Sequence, residues 1–484
     1  MRNLNTRRII LFLFIAIFCL APTAQTAARG IVQQEAPDGP IYIVQEGDTL
    51  WDIAARFRVT MTDLAGANGI SDPSQLIVGA QLIIPGLEGV TGLLTTRTIG
   101  LGESLRSLGR RYQLPEEILI RLNHMTSPEE LYVGASFVLP EQNSSAPLSV
   151  RSLVSPGQSL LEIAIAKGTT PWSFVIMNNL AGTWGPVAGD VLHFMDGEPA
   201  NNQSGQPAAL PEAISAVMLE PTRLIQGKVA VIELSSSEGI TFTGRLDGRD
   251  MQFFPDTEGN YFSLHGIHAM SDPGLYTLEI RGTLTNRANY PSASFAFSQS
   301  VLVSSGDYPF DPVLVVSPET IDPAVTKPED AQWAALTATA TPKKMWQGVF
   351  TSPAPPPFSD CWPSRFGNRR SYNGSEYSYF HSGLDFCGGV GAEILAPAAG
   401  RVVFAGPLTV RGNATIIDHG WGIYTGYLHQ SEILVNVGDS VQQGQLIGRV
   451  GGTGRVTGPH LHWEVWAGGV QVDPMDWLSQ PFPN

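Results

Sequence analysis

Apolar and polar positions change period several times along this chain, and the changes divide it. A short alternation at Tyr42–Val44 leads into Gly47-Asp48-Thr49, after which Leu50, Ile53, Ala54 and Phe57 recur at helical spacing. Asp48 or Thr49 is a natural N-cap. A second helical run centres on Leu64, Asn68-Gly69 makes a turn, and Gln81–Pro85 is an apolar strand stopped by proline. The pattern predicts a strand-helix-helix-strand unit over residues 41–86. Two fainter copies follow. Residues 97–141 keep Gly102-Glu103-Ser104-Leu105, Asn123, Gly134 and a last strand ending at Pro140. Residues 150–195 keep Gly157-Gln158-Ser159-Leu160, Asn178-Asn179 and Gly189. A repeat near fifty-five residues marks a tandem array.

The βααβ plan resembles the LysM domain, a module that binds N-acetylglucosamine-containing glycans such as peptidoglycan and chitin. The resemblance is clear in the first copy and degenerate in the other two. Candidate glycan contacts fall in two loops and comprise Gly47, Asp48, Thr49, Leu50, Asn68 and Ile70. The alternative is that these residues only shape turns. Several weak sites on one chain give avidity on a polymeric wall.

Residues 196–214 are rich in Pro, Asn, Gln and Gly and read as a linker. Short alternating strands then dominate residues 215–317, with turns at LDGRD, TEGN and SDPG. The simplest fold for them is an immunoglobulin-like β-sandwich acting as a spacer. Residues 318–357 read as a linker carrying a helix over Asp330–Ala340 and ending in the stiff SPAPPP run. The expected fold class is therefore multidomain and mainly β.

At 484 residues the chain is too long for one ordinary core. Its net charge of −15 argues against nucleic acid as a partner and against simple attraction to anionic wall polymers. Arg2, Arg7 and Arg8, the apolar run Ile9–Ala21 and the small residues after it predict an export signal over residues 1–28. If it stays uncleaved, it becomes an N-terminal membrane anchor. Cys19 has no lipobox-like context. The expected location is exported: cell wall-associated, periplasmic or extracellular. Cleavage leaves two cysteines, Cys361 and Cys387, and in an exported protein an even pair favours a disulfide. The alternative is that Cys387, two residues after Asp385, is a thiolate ligand.

Chemistry concentrates near the C-terminus. Five of the nine histidines (His381, His419, His429, His460 and His462) fall in the last quarter of the chain. His460 and His462 stand at i and i+2, so a strand presents both on one face. His381 and Asp385 are four apart in FHSGLDF, and His429 sits in TGYLHQS. Catalytic zinc takes three N or O ligands and keeps one position open. His381, Asp385 and one histidine of the HLH pair supply two nitrogens and an oxygen, leaving the other histidines for proton transfer. No HExxH helix is present.

The segment Phe358–Trp477 resembles the lysostaphin-type (LytM-like) zinc metallopeptidases. The matching words are SRFGNRR, HSGLDF, GAEILAPAAGRVV, GNATIIDHGWGIYTGYLH, VGDSVQQGQLIGRVGGTGRVTGPHLHWEV and VDPMDWL. The resemblance implies an antiparallel β-rich domain over residues 358–480 that cleaves stem or cross-link peptides of peptidoglycan with one zinc ion. It implies His381, Asp385 and His462 as metal ligands and His429 and His460 as catalytic histidines. Some relatives have lost ligands and act only as amidase activators; here every ligand position is filled. The non-catalytic alternative is a wall-binding activator of a separate amidase. Asn368 falls where relatives carry a groove-lining polar residue. Glu464 shares the strand face of His460 and His462 and is a candidate to orient an imidazole; its alternative is a solvated carboxylate. His419, Tyr424 and Tyr427 read as structural.

Overall fold

The computed structural model describes residues 39–87, 90–141, 150–194, 207–237, 239–284 and 292–483. The expected export signal lies outside the described residues, as does most of the 196–214 linker. Among the described residues no helix is long and apolar enough to cross a membrane.

The first repeat pairs strand Ile41–Ile43 antiparallel with Gln81–Ile83 across helices Leu50–Arg56 and Met61–Ala67. Thr49 and Thr60 cap the helices, each hydroxyl accepting the backbone N–H three residues on. Tyr42, Leu50, Ile53, Phe57, Leu64 and Leu82 fill the core. The second repeat has strands Leu93–Thr98 and Ser136–Glu141 around helices Leu105–Tyr112 and Glu116–Asn123. Its first strand runs parallel to Ile41–Ile43, so one four-stranded sheet joins both repeats. Strands Val150–Leu153 and Val191–Phe194 flank helices Leu160–Ala166 and Pro171–Met177 in the third.

One asparagine recurs as a clamp. Asn68, Asn123 and Asn178 each donate to the carbonyl four residues back and the carbonyl fifteen residues on, and each accepts the N–H at that later residue. Each amide thereby ties the end of the second helix to the last strand. This corrects the reading of Asn68 as a glycan contact, because its amide is occupied inside the repeat. Leu50 is corrected likewise: it is 2% exposed and sits in the core.

The second repeat is pressed against the region that follows. Gly102 donates to Gln299 Oε1 at 3.0 Å, and Gln299 Nε2 returns a bond to the Gly100 carbonyl at 3.0 Å. Val133 donates to the Ser300 carbonyl at 2.9 Å. A Cβ at Gly102, whose φ is +91°, would lie 2.3 Å from Pro207, so only glycine allows this approach. The Gly102 turn, which matches Gly47 of the first repeat, is therefore covered here.

Residues 214–304 form two facing sheets. One orders strands Arg249–Gln252, Ile240–Leu246, Gly274–Leu284, Ala293–Ser304 and Arg223–Ile225; the other orders Phe254–Pro255, Asn260–Gly266, Val229–Ser236 and Ile214–Glu220. Strict alternation along Ala293–Ser304 sends Phe295, Phe297 and Val301 inward to meet Ile232 and Leu234.

The segment expected as a linker is packed. Its helix spans Pro323–Thr337, starting seven residues and ending three residues before the pattern placed it, capped by Asp322 and tolerating Pro328 in its first turns. Trp346, Phe350 and Ala354 are 2–3% exposed and belong to the core of the C-terminal sheet. Pro-rich composition marked this stretch as extended, but the aromatics beside the prolines bury it. That core also takes in Val229, Phe254, Phe262 and Leu264 from the preceding sheets, with Phe254 and Phe262 each stacked on Trp421.

The C-terminal sheet orders strands Leu384–Phe386, Leu461–Ala467, Ile423–Ile433, Gly412–Gly420, Gly400–Leu408 and Ser440–Val441, with antiparallel neighbours throughout. Register sets Asp385 opposite His462, and His462 opposite Leu428, beside His429.

Candidate active site

Three side chains converge where these strands meet. His381 Nε2 lies 3.0 Å from Asp385 Oδ1 and 3.0 Å from His462 Nδ1, and His462 Nδ1 lies 2.8 Å from Asp385 Oδ1. All three residues are buried. Each ring is fixed from behind. His381 Nδ1 stands 2.7 Å from the Arg365 carbonyl and 3.1 Å from Ser364 Oγ, so its proton belongs there and Nε2 keeps a bare lone pair. His462 Nε2 stands 3.3 Å from Ser382 Oγ and 3.4 Å from Glu464 Oε1, which leaves Nδ1 bare. Two lone pairs and a carboxylate oxygen at this spacing repel one another unless a cation lies among them. The three can hold a metal ion, and tautomers set by outer partners are the usual support of such a site.

Glycine is required in the loop between the first two. A Cβ at Gly383 would meet the Trp463 carbonyl at 2.4 Å and His462 Nε2 at 2.8 Å. Burial opposes the charge on Asp385, yet His381 and His462, when a proton sits on the nitrogens that face it, hold it well below the usual carboxylate range, the place a bound cation takes over.

His429 and His460 stand beside this group, with ring centroids 5.1 Å apart. His429 Nδ1 donates to the Thr453 carbonyl and His460 Nδ1 to the Gly458 carbonyl, each at 2.8 Å. In the neutral form of each ring Nε2 is then left to exchange a proton, and that of His460 is 3.5 Å from Asp385 Oδ1. His429 has a φ of +65°, outside the strand range, where the sheet register shifts. Burial pushes its imidazole down to about 3, with His462 and His460 adding to the effect.

These residues open into a cavity of about 1000 Å³. Pattern reading missed part of its wall. Arg370 lines it, donating to Ser364 Oγ at 3.0 Å with the same nitrogen 3.8 Å from Asp385 Oδ2. Asp311, from the segment before the helix, accepts from Asn368 at 2.7 Å and from Arg370 at 3.3 Å. Asn368 is thus tied to Asp311 rather than free in the groove. The doubled arginine after Asn368 was a usable signal; Asp311, in an ordinary loop context, was not. Glu464 is not solvated: it is 1% exposed and fully hydrogen-bonded.

Three other residues lie away from this cluster. Tyr424 donates to the Thr339 carbonyl at 2.6 Å, and Tyr427 shares a 2.8 Å bond with Thr425. His419 is fully buried, bonded at 2.8 Å to both the Ala399 carbonyl and Thr425 Oγ1. Burial pushes His419 down to about 4. An unfolded imidazole titrates near ~6.5. Its contribution is therefore complete above about 6.5 and is lost as pH falls toward 4, at about 1.4 kcal/mol per pH unit. Denaturant unfolding at pH 7 and pH 5 is expected to show this loss, with a shallower slope in His419→Gln. An unchanged slope in that variant would assign the acid sensitivity elsewhere.

Cys361 and Cys387 form a disulfide across 26 residues, with Cys387 two residues after Asp385. Their sulfurs are bonded to each other, so neither is a ligand. Loop closure of this length is worth roughly 3 kcal/mol. Cys361→Ser with Cys387→Ser is expected to lower unfolding stability by about that amount, measured in urea against the oxidised parent.

Residues 379–474 match peptidase family M23, and residues 42–85 and 98–140 match the LysM domain. The C-terminal domain is an M23 peptidase domain. The chain is 41% identical over 112 residues to the peptidoglycan DD-endopeptidase ShyA of Vibrio cholerae, covering 23% of this chain and 26% of that protein. It is 41% identical over 104 residues to the DD-carboxypeptidase/endopeptidase Mpg of Neisseria meningitidis, covering 22% and 24% respectively. The match thus spans about a quarter of the length of these relatives. A putative peptidase M23 from Pseudomonas aeruginosa aligns over 53% of this chain and 95% of its own, with 28% identity and a TM-score of 0.39. His381, Asp385 and His462, together with His429 and His460, lie inside the M23 match.

Proposed function

We propose that this chain is an exported zinc metalloendopeptidase that hydrolyses peptide bonds in the stem or cross-link peptides of peptidoglycan and is held on glycan by its LysM repeats. The observation that carries the reading is the convergence of His381 Nε2, Asp385 Oδ1 and His462 Nδ1 within 3.0 Å of one another, each imidazole satisfied at its other nitrogen. The donor set of two nitrogens and one oxygen fits one zinc ion with a position left open. Bound there, zinc supplies Lewis-acid polarisation of a peptide carbonyl and makes water acidic enough to attack near neutral pH. The chain's own residues do the rest. The Nε2 atoms of His429 and His460 take up a proton from the attacking water and return it to the leaving amine, and while protonated they donate N–H toward the developing oxyanion. The backbone carbonyls of Thr453 and Gly458 hold these rings in the required tautomer. The 41% identity to relatives named as peptidoglycan endopeptidases supports the substrate class, and the complete donor set speaks against a purely regulatory role.

The two facing sheets serve as an immunoglobulin-like spacer, and residues 150–194 as a third, degenerate LysM-like unit. Glycan contact is assigned to the first repeat at Gly47, Asp48, Thr49 and Ile70, joined by exposed Trp51, Ile77 and Val78. The Val44–Ala80 and Gly79–Val44 hydrogen bonds set these two loops side by side. An exposed tryptophan there is expected to stack on sugar. Trp51→Ala should weaken binding to insoluble peptidoglycan by roughly fivefold to tenfold. A sedimentation isotherm indistinguishable from wild type would remove Trp51 from the contact.

The function is tested by digesting purified peptidoglycan with the full chain and reading the products by mass spectrometry. New peptide termini that vanish on chelation are expected. Intact peptides, or new reducing sugar ends instead, would overturn the reading.

A further inference from the structure

The helix Pro323–Thr337 lies outside the M23 match, yet one of its side chains reaches the surroundings of a proposed metal ligand. Trp333 is fully buried, and its indole N–H donates to Glu464 Oε2 at 3.1 Å. Trp466 donates to the same oxygen at 2.9 Å. The other oxygen, Oε1, accepts from Ser382 Oγ at 2.7 Å and lies 3.4 Å from His462 Nε2. Four residues thus surround one buried carboxylate, and each oxygen is pinned from two sides. A buried carboxylate needs such donors to stay charged and to hold one rotamer.

The helix is held firmly enough to place that indole. Glu329 accepts from the Val410 and Arg411 backbones, both at 2.9 Å, and from the Arg411 guanidinium at 3.1 Å. Arg411 in turn lies 4.8 Å above the Trp333 ring. Gly426 makes room for the indole, since a Cβ there would stand 3.3 Å from Trp333 Cζ2.

We propose that Trp333 is a positioning residue for the metal site: its indole N–H fixes Glu464, and Glu464 fixes the His462 ring so that Nδ1 stays aimed at the ion. The helix is then a working part of the site, although it lies outside the peptidase match. This rests on the reading of His381, Asp385 and His462 as zinc ligands. Apolar packing alone would need any aromatic at position 333; positioning needs the N–H.

The two roles separate in Trp333→Phe, which keeps a ring in the pocket and deletes the donor. Zinc affinity of the full chain, measured by competition with a chromophoric chelator, is expected to fall about tenfold, the low end for loss of an outer-shell partner. Glu464→Gln is expected to produce a loss of at least that size on its own. Adding Trp333→Phe to Glu464→Gln is expected to cost little more, because both act through one contact. An affinity within twofold of wild type in a folded Trp333→Phe chain overturns the proposal. If that variant fails to fold, wild-type affinity in Glu464→Gln overturns it equally. A wild-type chain that takes up no zinc overturns the ligand reading and this inference with it.

Discussion

Replacing Asp385 with alanine is expected to abolish both zinc retention and peptidoglycan cleavage. Asp385 Oδ1 stands within 3.0 Å of both partner nitrogens and supplies the only oxygen of the set. Without it, two neutral imidazoles remain, and they balance none of the ion's charge. Loss of one ligand and of that balance together is expected to lower cleavage more than about 10³-fold, since the reaction relies on the ion for charge stabilisation. Metal content after desalting should fall from one zinc per chain to none, and digestion should produce no new peptide termini. Full zinc content in Asp385→Ala would remove this residue from the ligand set, whatever happened to activity.

The second large effect separates the neighbouring histidines from the ligands. His460→Ala is expected to keep one zinc per chain and to lower kcat by about 10² to 10⁴, the usual weight of a proton-transfer group. The same is expected of His429→Ala. Both rings donate Nδ1–H to a backbone carbonyl, which leaves Nε2 to exchange protons, and neither sits within the three-atom cluster. Zinc loss in parallel with activity would show that these rings hold metal instead. Turnover within about threefold of wild type would remove them from the chemistry.

Much of the site was legible because its residues come in short words. HSGLD places His381 and Asp385, the two proposed ligands, close together with the glycine that the approach needs. HLH places His462 in a strand, and two residues on, Glu464 falls on the same face behind it. The three asparagines that clamp the repeats are spaced by fifty-five residues, so the repeat length itself marked them, although their role pointed inward rather than toward a ligand. What pattern reading missed is held by packing between distant segments. Asp311 reaches Asn368 and Arg370, Glu329 reaches Arg411, and Trp333 reaches Glu464 across 131 residues. No periodicity records such pairs. The proline-rich run before the M23 domain misled for a related reason: prolines report backbone shape, while burial there is set by Trp346 and Phe350.

The joints described above have a bearing on reach. The first two repeats share one sheet, the second is bonded to strand Ala293–Ser304, and the sandwich shares a core with the catalytic sheet. Along that path the anchor and the cleft are connected by folded contacts rather than by loose chain. A flexible tether spreads the local concentration of its cargo over a range of distances. A stiff span acts as a gauge instead, bringing peptides at one separation from the held glycan into range and passing over the others. On the proposed function, the spacing of the wall would then select the bond before any side chain in the cleft touched it.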